Sequence, residues 1–101
     1  MTRDEVADLA PAVVTEQVDN ARVRVTHYHF PPRSQTGWHR HVHDYVVVPT
    51  INGTLTILEP DGSCRDVPYI GGESYFRPHG AEHNVVNRTG APVAFVEIEL
   101  K

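Results

Sequence analysis

GWHRHVHDYVVVPTING, residues 37 to 53, places His39, His41, His43 and Tyr45 at every second position. Successive side chains of a β-strand point to opposite faces, so these four share one face, spaced about 7 Å per i, i+2 step at a rise of about 3.3 Å. Two neighbouring rungs of such a ladder are able to grip one ion. Neutral imidazole suits zinc, iron, nickel and copper, and an open catalytic site commonly takes three protein ligands, leaving other positions for water or substrate. The third ligand has to come from another part of the chain.

Outward from this stretch the sequence reads as short strands and turns. On the N-terminal side, Ala12 to Val18 and Arg22 to Phe30 read as strands, with Asp19-Asn20 as the turn between them. Val23, Val25, His27 and His29 share one face of the longer strand, and its two faces do not sort into core and solvent. His27 and His29 are read as surface or half-buried residues rather than a second ladder. Thr2 to Glu5 has the T-x-x-E spacing of a helix cap, ending before Pro11. Pro31-Pro32 breaks the strand, and residues 33–37 lead as a connection into the ladder.

On the C-terminal side, Pro49 to Gly53 reads as a turn, and Thr54 to Glu59 and Ser63 to Val67 as a hairpin about Pro60-Asp61-Gly62. Further strands are expected over Ser74 to Arg77, Glu82 to Asn87 and Val93 to Leu100. About eight short strands with turn signals every 8 to 12 residues or so point to an all-β barrel or sandwich.

The composition narrows the function classes. A chain of 101 residues is one domain, and a formal charge of −4 without a Lys/Arg cluster argues against nucleic acid as a partner. No stretch approaches transmembrane length, and acidic residues stand where a signal peptide is basic, so a cytoplasmic protein with no membrane partner is expected. The single Cys64 has no internal partner and reads as an inert structural thiol. Seven histidines stand out.

The C-terminal half resembles the second motif of the cupins, G-x5-P-x-G-x2-H-x3-N, through Gly72, Pro78, Gly80, His83 and Asn87. The first cupin motif, G-x5-H-x-H-x3 or x4-E-x6-G, is matched at His39, His41 and Gly53. Arg33 stands where its first glycine is expected, and its glutamate position falls on Tyr45 or Val46. GWHRH-x2-DYVVVP together with FVEIEL at the C-terminus is similar to the small single-domain cupins named for β-alanine degradation. The resemblance spans roughly Val23 to Leu100. It implies a double-stranded β-helix (jelly-roll) barrel over residues 22–101, with residues 1–21 as an N-terminal arm and first strand.

The resemblance also implies a divalent metal, Fe, Zn, Ni or Mn, on His39, His41 and His83. The spacing agrees, with a same-face pair on one strand and a histidine delivered to a strand start by a Pro-x-Gly turn. His43, Tyr45 and Trp38 are expected around the ligands or against a substrate. His79 and Asp44 are expected at the surface. Glu97 and Glu99 alternate with Val96, Ile98 and Leu100, and the acidic pair is read as a solvated face. Three neutral ligands leave the ion's charge uncompensated, which favours a small anionic partner molecule. The functions expected are an iron dioxygenase-like enzyme or, alternatively, a non-catalytic binding or accessory cupin of amino-acid catabolism, or a metal-dependent isomerase or lyase. A homodimer is expected.

Overall fold

The computed structural model describes residues 3–101. Thr2, the cap residue expected for the first helix, lies outside them; the helix itself, α1, spans Arg3–Ala7. Ten strands follow, in two five-stranded sheets. The first sheet has the order β1 (Ala10–Pro11), β4 (Ser34–Arg40), β9 (Glu82–Asn87), β6 (Gly53–Leu58), β7 (Cys64–Tyr69). The second has the order β2 (Val13–Asp19), β3 (Val23–Phe30), β10 (Val93–Leu100), β5 (Asp44–Ile51), β8 (Tyr75–Arg77). All pairings are antiparallel except that of β1 with β4.

The principal departure from the sequence reading lies in the histidine stretch itself. It is two strands rather than one: β4 ends at Arg40, β5 begins at Asp44, and residues 41–43 carry the chain from one sheet to the other. Residues 34–37, read as a connection, are already strand, and the expected turn at Pro49 to Gly53 shrinks to Asn52 alone. Cys64, at the start of β7, is free and exposed.

The core lies between the two sheets and includes Phe30, Tyr45, Val47, Leu55, Ile57, Tyr69, Val85, Val93 and Phe95. Two motif residues explain how the sheets close on it. A Cβ on Gly53 would come 2.3 Å from Val93 Cγ2, so only glycine lets β6 approach β10 this closely. Asn87, fully buried, donates from Nδ2 to the carbonyls of Phe30, Pro31 and Ala91, while its Oδ1 accepts from the amide and hydroxyl of Thr89. One side chain thereby ties the β3–β4 connection to the β9–β10 turn and satisfies backbone groups that water does not reach.

The outer face of the second sheet is unusually apolar. Outward positions on its strands carry Val13, Val18, Val23, Val25, Val96, Ile98, Val46, Val48 and Phe76, with Thr15, His27, His29 and Asp44 as the polar exceptions. Phe76 is 56% exposed and Val13 54%. A solvated sheet face normally alternates to polar side chains.

Arg33, at the motif's glycine position, has φ 57°. The left-handed conformation that the motif glycine supplies is therefore kept, with a side chain that disfavours it. Relief of about 1–2 kcal/mol of strain, set against about 0.5–1 kcal/mol for glycine's freer unfolded chain, makes Arg33→Gly stabilising by roughly 0.5–1 kcal/mol. The expected readout is a melting temperature a few degrees higher, whereas Arg33→Val should lower it.

Candidate metal centre

His39 and His83 are directly opposed in the β4–β9 register, so both rings leave adjacent strands on the lumen side. A bulge precedes His39: the register shifts between Gln35 and Trp38, and Gly37 at its centre has φ 83°. The bulge folds the Gly37 carbonyl back to 3.0 Å from His39 Nδ1. A carbonyl only accepts, so Nδ1 carries the ring proton and Nε2 keeps its lone pair for the lumen. Asn84, 1% exposed, holds the bulge by accepting from the Gly37 amide at 3.0 Å and donating to Gln35 Oε1 at 2.9 Å. Gln35 in turn donates to the Val6 carbonyl in α1.

His41 sits beyond the end of β4, and its backbone fixes it. Its amide donates to the Ala81 carbonyl at 2.8 Å, and its carbonyl accepts from the Gly80 amide at 2.7 Å. These bonds clamp the crossing segment to the turn that leads into His83. The three rings converge: His41 Nε2 lies 3.1 Å from His39 Nε2 and 3.2 Å from His83 Nε2. Nitrogens held about 2.0–2.1 Å from one ion at octahedral to tetrahedral angles stand about 2.9–3.4 Å apart, so the set fits a shared divalent metal.

Burial first, and then the neighbouring His39 ring, pulls His41 down to about 4; the same causes, joined by His41, take His83 down to about 3. Both rings are therefore neutral at neutral pH and available as ligands.

Glu97 and Glu99 correct the sequence reading. They are 4% and 7% exposed and face the lumen, while Val96 and Ile98 are half-buried and Leu100 is 42% exposed on the outer face. The β10 register explains this: Glu97 pairs with inward Val47, and Glu99 with inward Tyr45. Glu97 Oε1 lies 3.7 Å from His41 Nε2, and Oε2 accepts from the Tyr28 hydroxyl at 3.4 Å. Glu99 is held by the Arg24 guanidinium. Burial, and then the charge of Glu99, pushes the Glu97 carboxyl up to about 7.

Tyr45, at the motif's glutamate position, stacks on His41 with ring centroids 4.0 Å apart and is 2% exposed. Burial pushes its phenol up to about 12, so it braces the ring as a neutral group. Two other expected neighbours are elsewhere. His43 is half-buried in the crossing segment and is not among the described residues whose ligand atoms cluster. Trp38 is 55% exposed and turned to the outside, because it is one residue out of phase with His39. His79 and Asp44 pair with each other at the surface, as read.

The sequence reading missed the residues at the cavity mouth. A cavity of about 310 Å³ reaches His83 and is bounded by Ile57, Arg65, Val67, Tyr69, Tyr75 and Arg77. On the other side of His83 the lumen closes to about 10 Å³ among Tyr28, Phe95 and Glu97, room for about one water. The period-2 placement of Arg65, Val67 and Tyr69 on β7 and of Tyr75 and Arg77 on β8 was the available signal.

Comparison with known proteins agrees with this architecture. The chain is 53% identical over 90 residues to the β-alanine degradation protein BauB of Pseudomonas aeruginosa, covering 89% of this chain and 94% of that one. The chain belongs to the cupins, in the same family as BauB. A cupin domain from Bordetella pertussis Tohama I superposes with a TM-score of 0.89 at 48% identity, over 93% of this chain and 97% of that one. The polyketide cyclase RemF of Streptomyces resistomycificus shares the fold alone, with a TM-score of 0.69 at 21% identity over 99% of this cupin and 79% of RemF. No family model matches the sequence. No helix among the described residues is long and apolar enough to cross a membrane.

Asn84→Ala should strand the Gly37 amide and the Gln35 amide oxygen, costing about 2–3 kcal/mol in thermal unfolding. Because the bulge sets the His39 tautomer, zinc affinity measured by chelator competition should also fall, by about 10- to 100-fold.

Proposed function

We propose that this cupin binds a divalent metal on His39, His41 and His83 and uses it to convert a small carboxylate, as an iron-dependent, dioxygenase-like enzyme. The observation that carries this reading is the convergence of three imidazole nitrogens at 3.1 and 3.2 Å in a lumen open to solvent through one mouth. A bound ion supplies Lewis acidity there, and iron adds reactivity towards dioxygen. The chain's own residues do the rest. Tyr45 braces His41, Tyr28 orients Glu97, and the Tyr28, Phe95 and Tyr69 rings exclude water from the inner lumen.

Glu97 favours an enzyme over a binding module. A binding site for anions gains nothing from a buried carboxyl 3.7 Å from a ligand ring, whereas a reaction site gains a group able to take up or release a proton across the metal centre from the substrate. The name of BauB places that relative in β-alanine degradation, which fits a small carboxylic acid as the substrate of this chain. The reading takes the protein to be cytoplasmic.

Metal analysis of protein purified without added metal, followed by oxygen uptake on a panel of small acids and diketones, tests the proposal. Bound iron with uptake is expected; zinc or nickel without turnover would favour the binding module, and no metal would overturn both. His41→Ala should abolish bound metal, while Glu97→Gln should keep it and lose turnover.

We also propose a homodimer, closed through the apolar outer face of the second sheet. Two copies related by a two-fold axis present the same aliphatic surface to each other, the commonest way such a face is covered. Light scattering should give about twice the 11.3 kDa chain mass, and Phe76→Asp should halve it without changing metal content. A monomeric wild type would contradict the proposal.

A further inference from the structure

β8 is only three residues long, yet it delivers two side chains to the lumen. In its register with β5, Tyr75 pairs with inward Val47 and Arg77 with inward Tyr45, while Phe76 points outward. Arg77 is half-buried at the wall of the cavity that ends on His83. It lines that cavity together with His83, and its cross-strand partner Tyr45 stacks on His41, so Arg77 belongs to the wall of the metal centre.

The other lumen-side arginines are already engaged. Arg24 is paired with Glu99, and Arg65 with Glu59 at 3.0 Å. Arg77 forms no ion pair and no side-chain hydrogen bond with any described residue. Its nitrogens stay open to the cavity, and its planar fork matches a carboxylate through two parallel hydrogen bonds. The wall beside it is rigid, because the Tyr69 and Tyr75 hydroxyls are joined at 2.8 Å. At about 310 Å³ the cavity is at the small end of ligand sites.

We propose that Arg77 anchors the carboxylate of the substrate, so that a short acid spans the cavity with its carboxylate on Arg77 and a second oxygen function directed past His83 to the metal. This rests on the metal-centre reading for its second contact, and on Arg77 alone for its first. The ligand class is a short carboxylic acid with a second oxygen donor a few carbons away. Inorganic phosphate, which carries more charge than one fork neutralises and has no apolar part for Ile57 and Val67, is disfavoured.

The test is calorimetric titration of the protein as purified, at fixed ionic strength, with malonate, its neutral isostere malonamide and inorganic phosphate. Arg77→Gln should weaken malonate binding by at least about tenfold, and Arg77→Lys, which keeps the charge and loses the fork, by an intermediate factor. Malonamide affinity should stay within about twofold across the three proteins, since it lacks the charge that Arg77 reads. Equal malonate affinity in wild type and Arg77→Gln would overturn the anchor, as would an Arg77-dependent preference for phosphate. Arg77→Lys keeps the comparison decisive where the glutamine variant folds poorly. Metal content measured on the same samples separates the two readings. A metal-free wild type would refute the metal centre, while the dependence of malonate binding on Arg77 in that same protein would still decide the anchor.

Discussion

Two backbone hydrogen bonds, between His41 and the Gly80–Ala81 turn, join the segment that crosses between the sheets to the turn that starts β9. Everything in the lumen depends on that clamp. Without it the ladder would run on as one straight strand, with His39 opposite His83 but His41 about 7 Å further along the backbone. With it, the chain leaves the first sheet between the two histidines, and His41 swings over towards His83 while its ring packs on Tyr45. The site is thus a product of the β4–β9 pairing and of the strand break together.

The same geometry moves the acidic group. Tyr45 occupies the position where the first cupin motif carries glutamate, and its cross-strand neighbour on β10 is Glu99, with Glu97 two residues away on the same face. The lumen of this chain therefore holds its carboxylates on the neighbouring strand rather than at the motif position. Burial of two acids in adjacent inward positions is tolerable because the charge is divided: Arg24 neutralises Glu99, while Glu97 is pushed up to about 7 and its Oε2 accepts from the Tyr28 hydroxyl. Uncompensated metal charge, the basis for expecting an anionic partner, is accordingly less than three neutral ligands alone would leave. A nearby free guanidinium restores the preference for an anion by a separate route.

Much of this was legible in the chain. The period-2 pattern and the turn residues give an all-β fold, and the spacing from Gly72 to Asn87 names the barrel, because Asn87 is held by backbone contacts that few other residues satisfy. His39, His41 and His83 were readable as candidates from the same motifs. The break at residues 41–43 was not, because alternation continues through it without a proline or glycine to mark the crossing. Glu97 and Glu99 were misread for a related reason. In an alternating strand the apolar set is normally the buried one, but here the outer sheet face of β10 carries the aliphatics Val96, Ile98 and Leu100, so hydropathy alone points Glu97 and Glu99 the wrong way. Trp38 follows from the ladder's own parity: if His39 faces in, its neighbour faces out.

Polarity within the lumen now orders the site. Glu97 lies on the closed side of the imidazole cluster, beside a space of about 10 Å³, and Arg77 on the open side, beside a cavity of about 310 Å³. In the proposed binding mode, an acid in the cavity places its carboxylate on the guanidinium while the rest of the molecule extends towards His83. Its far end then faces Glu97 across the cluster, with no room for bulk water between them. A neutral compound of the same size has no such stop. In the proposed reading, the two charged groups, contributed by strands on either side of β5, set the direction in which a ligand lies, and the three histidines mark where along that line the metal would meet it.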